Sequence, residues 1–119
     1  MANTTDTKKQ SIQSLLAIYN ASVNLKVHLQ LACNPMWHTF DVLNQALSDA
    51  IDNLVDRAME NWLTDAQQAI TDATAANTQL GAAIKSIETD VTNTAAMVKA
   101  IGYVDQAIQI ALKLLPLAA

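Results

Sequence analysis

From Ala66 to Leu115, apolar residues recur in alternating steps of four and three. The positions read Ala66, Ile70, Ala73, Asn77, Leu80, Ile84, Ile87, Val91, Thr94, Val98, Ile101, Asp105, Ile108, Leu112 and Leu115. Only Asn77, Thr94 and Asp105 interrupt the apolar run. A heptad spacing held for this long is the signature of helices that pack along a seam, and it constrains the fold more than any other feature of the chain. Composition agrees. Half of the 119 residues are hydrophobic, while glycine and proline number two each. An all-β domain of this size needs many turns, and turns consume glycine and proline. A breaker-poor chain of this kind is a chain of helices.

The helices can be delimited by their caps. Residues 1–7 form a polar lead, expected to be disordered. The first helix is expected over about 8–32 and ends before Asn34-Pro35, where asparagine suits a cap and proline the first helical position. The second is expected over 35–62, with an apolar stripe at Phe40, Leu43, Leu47, Ala50 and Leu54 and acids (Asp49, Asp52, Asp56, Glu60) on the other side. Thr64-Asp65-Ala66-Gln67 fits a capping box, with Thr64 as the cap. An unbroken helix from there to Leu115 would be ~75 Å long, against ~40 Å for each of the first two. Thr89-Asp90-Val91-Thr92-Asn93-Thr94 is a cluster of β-branched and capping residues with low helix propensity. A break there gives helices at 65–91 and 94–115 and an all-α, antiparallel four-helix bundle filling residues 8–119 as one domain. Without the break, the alternative is three helices with one long continuous C-terminal helix.

One stretch resists this scheme. Val23-Asn24-Leu25-Lys26-Val27-His28-Leu29-Gln30-Leu31 alternates apolar and polar residues as a half-buried strand does. A strand needs a partner, and the only other alternating stretch, Ile108 to Leu114, also belongs to the heptad seam. No glycine or proline separates 23–31 from the helical residues before it, so it is read as helix. A helix with that pattern has two apolar sides. Val23, Val27 and Leu31 fall on one, and Leu25 and Leu29 on nearly the opposite one.

Chemistry is sparse. His38 and Asp41 stand three apart on one helix, but no further metal-ligand spacing supports them. Carboxylate-bridged metal bundles need Glu-x-x-His on two helices. The only glutamates are Glu60 and Glu88, and Leu63 and Val91 follow three residues later. No nucleophile motif and no phosphate-binding glycine loop is present. No enzymatic activity, cofactor or metal is therefore expected. The net charge is −4 and the only adjacent basic pair is Lys8-Lys9, so nucleic acid is not an expected partner. The N-terminus has no apolar core of a signal peptide, and no long uncharged apolar run spans a membrane. The expectation is a cytoplasmic or non-classically exported chain, its compartment otherwise unknown. Cys33 is the single cysteine, which forbids an intrachain disulfide.

What remains is excess apolar surface. The first helix carries Ile12, Leu15, Leu16, Ile18, Tyr19, Val23, Leu25, Val27, Leu29 and Leu31, distributed around most of its circumference. The C-terminal segment adds Ile108, Ile110, Leu112, Leu114, Leu115 and Leu117. Such faces fit a non-enzymatic interaction or assembly module, self-associating or binding another helical protein. Leu25, Leu29, Ile101, Ile108, Leu112 and Leu115 are the candidate contact residues. The alternative is a membrane-active helical protein using the apolar segment from Ile101, a use weakened by the scarcity of basic residues.

Overall fold

The computed structural model of the protein describes residues 4–55 and 63–114. Four helices account for nearly all of them: α1 (Thr4–Leu31), α2 (Trp37–Val55), α3 (Leu63–Thr89) and α4 (Thr94–Leu114). The alternating stretch 23–31 is the last part of α1, and no strand occurs among the described residues. The break at Asp90–Asn93 is present, so the C-terminal half is two helices rather than one.

Each corner is built by side chains that the sequence places there. Two residues past the end of α1 the chain takes a left-handed turn at Cys33, with φ 57°. The Met36 N–H donates to Asn34 Oδ1 (3.0 Å), and three overlapping turns through Pro35 and Met36 lead into α2. α2 therefore begins at Trp37, two residues later than the proline suggested. At the second corner, the Thr92 N–H and hydroxyl both donate to Asp90 Oδ1 (3.0 and 2.6 Å). These two bonds hold the exposed Asp90 carboxyl below its ordinary pKa of 3.8. Asn93 then caps α4, its Oδ1 accepting the Ala96 N–H at 3.1 Å. Two further expected boundaries are corrected. α1 starts at Thr4 rather than at residue 8, since nothing between Thr4 and Leu31 breaks a helix. α3 starts at Leu63, so Thr64 lies inside the helix and is not its cap. The expected second-helix end at 62 lies outside the described residues.

The chain forms two antiparallel hairpins, α1–α2 and α3–α4, standing side by side. Their corners meet at one end, where Asn34 Nδ2 donates to the Val91 carbonyl (2.9 Å). α1 therefore runs parallel to α3. Gln10 and Ala17 share a groove with Ile70 and Asn77, and farther along Ala21 and His28 share one with Ile84 and Glu88. Around the bundle the order is α1, α2, α4, α3, with α2 and α3 across a diagonal. The long dimension of 45 Å is set by α1, since 28 residues rise ~42 Å.

The core shows which residues form the seams. α1 buries Ser11, Leu15, Ile18, Ser22, Leu25 and Leu29. α2 buries Phe40, Asn44, Leu47, Ile51 and Leu54. α3 buries Ala69, Ala73, Ala76, Leu80, Ala83 and Ile87, and α4 buries Met97, Ala100, Val104, Ala107 and Ala111. Every one of these rows steps by fours and threes, as helices packed lengthwise require. The expected C-terminal seam is thus correct in period; in α3 it shares every second position with the buried row, and in α4 it runs one residue out of phase. Ala73, Leu80, Ile87 and Ile108 of that series are buried, but Thr94, Val98, Asp105 and Leu112 face solvent. The cause is side-chain size. α1 and α2 supply leucines, isoleucine and phenylalanine, and α3 and α4 meet them mostly with alanine. Interdigitation at native density needs small residues opposite large ones.

One level reverses this rule. Ser22, Asn44, Leu80 and Val104 all stand about 16 Å from their corner at 1.5 Å per residue. Here the first hairpin contributes small polar side chains and the second the bulky ones. Ser22 is fully buried and Asn44 is 5% exposed. Neither Ser22 Oγ nor either amide atom of Asn44 has a hydrogen-bond partner among the described residues.

Candidate interaction surface

The two apolar sides of α1 have different fates. Leu25 and Leu29 are 1% and 0% exposed and belong to the protein's own core. The opposite side is open. Leu16, Val27 and Leu31 are exposed, Leu31 at 81%, and Val23 is half-buried between them. At 100° per residue these four fall within an arc of about 80° that points away from the bundle axis. The stripe is free of charge. From Gln10 to Leu31 the only acidic or basic residue apart from His28 is Lys26. Its ammonium is held sideways, donating to Asp41 Oδ1 of α2 at 2.8 Å, and Gln45 donates to the other oxygen of the same carboxylate (3.4 Å). His28 is turned toward the groove between α1 and α3, which it lines with Glu88. The neutral residues Gln13, Asn20, Asn24 and Gln30 border the stripe.

The other expected contact residues divide. Ile108 is buried and Ile101 half-buried against the core. Leu112 is 46% exposed. Leu115 lies outside the described residues. On α4, Leu112 and Val98 (63% exposed) stand one heptad either side of the exposed Asp105. Val42 is exposed on α2, next in sequence to Asp41. The expected contact set therefore leaves out six exposed large apolar residues, Leu16, Val27, Leu31, Val42, Val55 and Val98. The period-two alternation in α1 did mark Val27 and Leu31 as one of two sides. Nothing local told which side the rest of the chain would cover.

Asp41 is engaged by Lys26 at 2.8 Å. His38 instead stacks on Trp37, with ring centroids 3.6 Å apart and planes at 29°. Phe40 is fully buried, and Tyr19 and Tyr103 pack against the core. No group of three or more potential metal-ligating side chains occurs among the described residues. No helix among them is long and apolar enough to cross a membrane.

The chain matches no protein-family model, and no curated protein or solved structure is significantly similar to it.

Proposed function

We propose that this protein is a non-enzymatic helical interaction module, self-associating or binding another helical protein through apolar helix faces. The observation that supports this is the outward stripe of α1. A helix that already buries one complete seam keeps a second apolar row in solvent, at a cost of roughly 25 cal/mol per Å² of apolar area left wet. Isolated exposed leucines are ordinary, but an uncharged row along one helix is the kind of surface that marks a protein contact. The membrane-active alternative gains nothing comparable, because Ile108, Ile110 and Ala111 of the apolar C-terminal segment are already buried within the bundle.

The test is static light scattering over a concentration series. The expected result is a weight-average mass that climbs above the 12.8 kDa of one chain, or a complex of defined stoichiometry with a helical partner protein. A mass fixed at one chain throughout, with no partner bound, would remove the proposal.

A further inference from the structure

We infer that the groove between α1 and α2 binds a small organic cation, with a guanidinium or ammonium head at Asp49 and an amide or hydroxyl group over Asn44. The site lies on one chain and needs no second protein, so it goes beyond the interaction-module proposal.

The groove has a volume of about 410 Å³, and Tyr19, Lys26, Asp41, Asn44, Ser48 and Asp49 line it. Sites for small ligands run from about 300 to 1,000 Å³. Asn44 is the decisive residue. At 100° per residue it stands on the flank of α2, with Phe40, Leu47 and Ile51 on its core side and Asp41, Gln45 and Ser48 on its groove side. It is nine-tenths buried, and neither amide atom has a hydrogen-bond partner among the described residues. The core side offers none. Leu80 and Val104 stand at the same level, and Ser22 Oγ is itself unpaired among the described residues. Polar groups lie on the groove side, so the complement of the amide comes from there. Folded chains break a rule of this kind mainly at functional sites.

Charge selects a cation. Two carboxylates, Asp41 and Asp49, share the groove with one ammonium, Lys26. Lys26 and Gln45 occupy the two oxygens of Asp41. Asp49 is exposed and has no ion pair among the described residues. A planar guanidinium matches such a carboxylate through two parallel N–H bonds. The half-buried ring of Tyr19, on the α1 wall, suits the same head. Asn44 Oδ1 needs a donor and Nδ2 an acceptor, and one amide or hydroxyl group supplies both. Asn44 and Asp49 are ~7.5 Å apart along α2, so a short chain must join the two ends of the ligand. An anion would meet Asp49 and a net charge of −4.

NMR titration of the isotope-labelled full chain with argininamide, which carries a guanidinium and an amide joined by a short chain, tests this. The expected result is saturable shifts centred on Tyr19, Asn44 and Asp49, the Asn44 side-chain amide included, with a Kd on the order of 1 mM for a ligand of this size. Asp49→Asn and Asn44→Ala should each weaken binding by about tenfold. Asp105→Asn, which removes an exposed acid of α4, should leave binding unchanged. Butyramide, which lacks the cation, should bind about tenfold more weakly than argininamide. Circular dichroism checks that the variants keep the fold. Shifts that do not saturate, shifts centred elsewhere, or equal binding of butyramide overturn the inference. So does full binding by Asn44→Ala, or a loss in Asp105→Asn equal to that in Asp49→Asn. These outcomes leave the interaction-module proposal untouched, since its readout is the mass in solution.

Discussion

Replacing Asn44 by leucine should stabilise the bundle. The Asn44 carboxamide is nine-tenths buried, and neither its nitrogen nor its oxygen has a partner among the described residues. A buried polar group without a hydrogen bond costs about 1–3 kcal/mol, so removing both is worth roughly 2–4 kcal/mol gross. Leucine adds a few tenths of a kcal/mol in helix propensity over asparagine. Against this stands its larger volume. The same level already holds Leu80 and Val104 where other levels hold alanines, and overpacking costs about 1–3 kcal/mol. The net expectation is a gain of about 1–2 kcal/mol, or an increase of roughly 4–8 °C in Tm for a chain of this size. Urea unfolding followed by circular dichroism measures it, and the m-value should not change. Asn44→Ala separates the two terms, because it removes the amide without adding bulk; it should gain about 1–3 kcal/mol, the amide's cost less about 1 kcal/mol for the small cavity it opens. A loss of 1 kcal/mol or more in the leucine variant, with an unchanged m-value and native helicity, would refute the reasoning. It would mean that the amide is satisfied inside the bundle and that the polar level supports the fold.

The glycines inside α3 and α4 offer a second check. A methyl group at Gly81 or Gly102 meets nothing within 4 Å, so each alanine substitution should raise stability by about 0.5–1 kcal/mol in the same urea assay; a decrease at both sites would contradict the packing. Removing the α4 cap in Asn93→Ala should cost about 1 kcal/mol, with Asn93→Asp keeping most of it; equal stability of all three proteins would sink the capping role. For Asp90, the folded pKa is lowered by its bonds from Thr92, so its contribution is present above the unfolded pKa and is lost as pH falls through the folded one. An NMR titration of the Asp90 carboxyl carbon should give a midpoint below 3.8, the ordinary value, and Asp90→Asn should flatten the acid side of the stability profile. A midpoint at or above that value would count against the turn geometry.

The sequence by itself determined that this chain is helical and marked where it can turn, but it left three helices or four open until the structure showed the break at Asp90–Asn93. Those features depend on neighbours within a few residues. Asn34-Pro35 and the Thr89–Thr94 cluster end helices because their side chains and φ preferences act locally. Heptad spacing was equally legible, since a period is a property of one helix. The phase was legible only in part. The fifteen-position series, taken from apolar spacing, ran through Ile70, Ile84, Val98 and Leu112, whereas the buried rows also run through Ala69, Ala76, Ala83, Ala100 and Ala107. Alanine carries little hydrophobic signal of its own. It marks a core only when a bulky neighbour from another helix leaves room for nothing larger, and α1 and α2 supply those neighbours. The candidate surface has the same history. Alternation in 23–31 announced two apolar sides, but it could not say which one the second hairpin would cover. Packing of the α3–α4 hairpin alongside α1–α2 assigned Leu25 and Leu29 to the core and left Leu16, Val27 and Leu31 in water. That choice belongs to tertiary structure, because burial is decided by what stands opposite a side chain and not by the side chain itself.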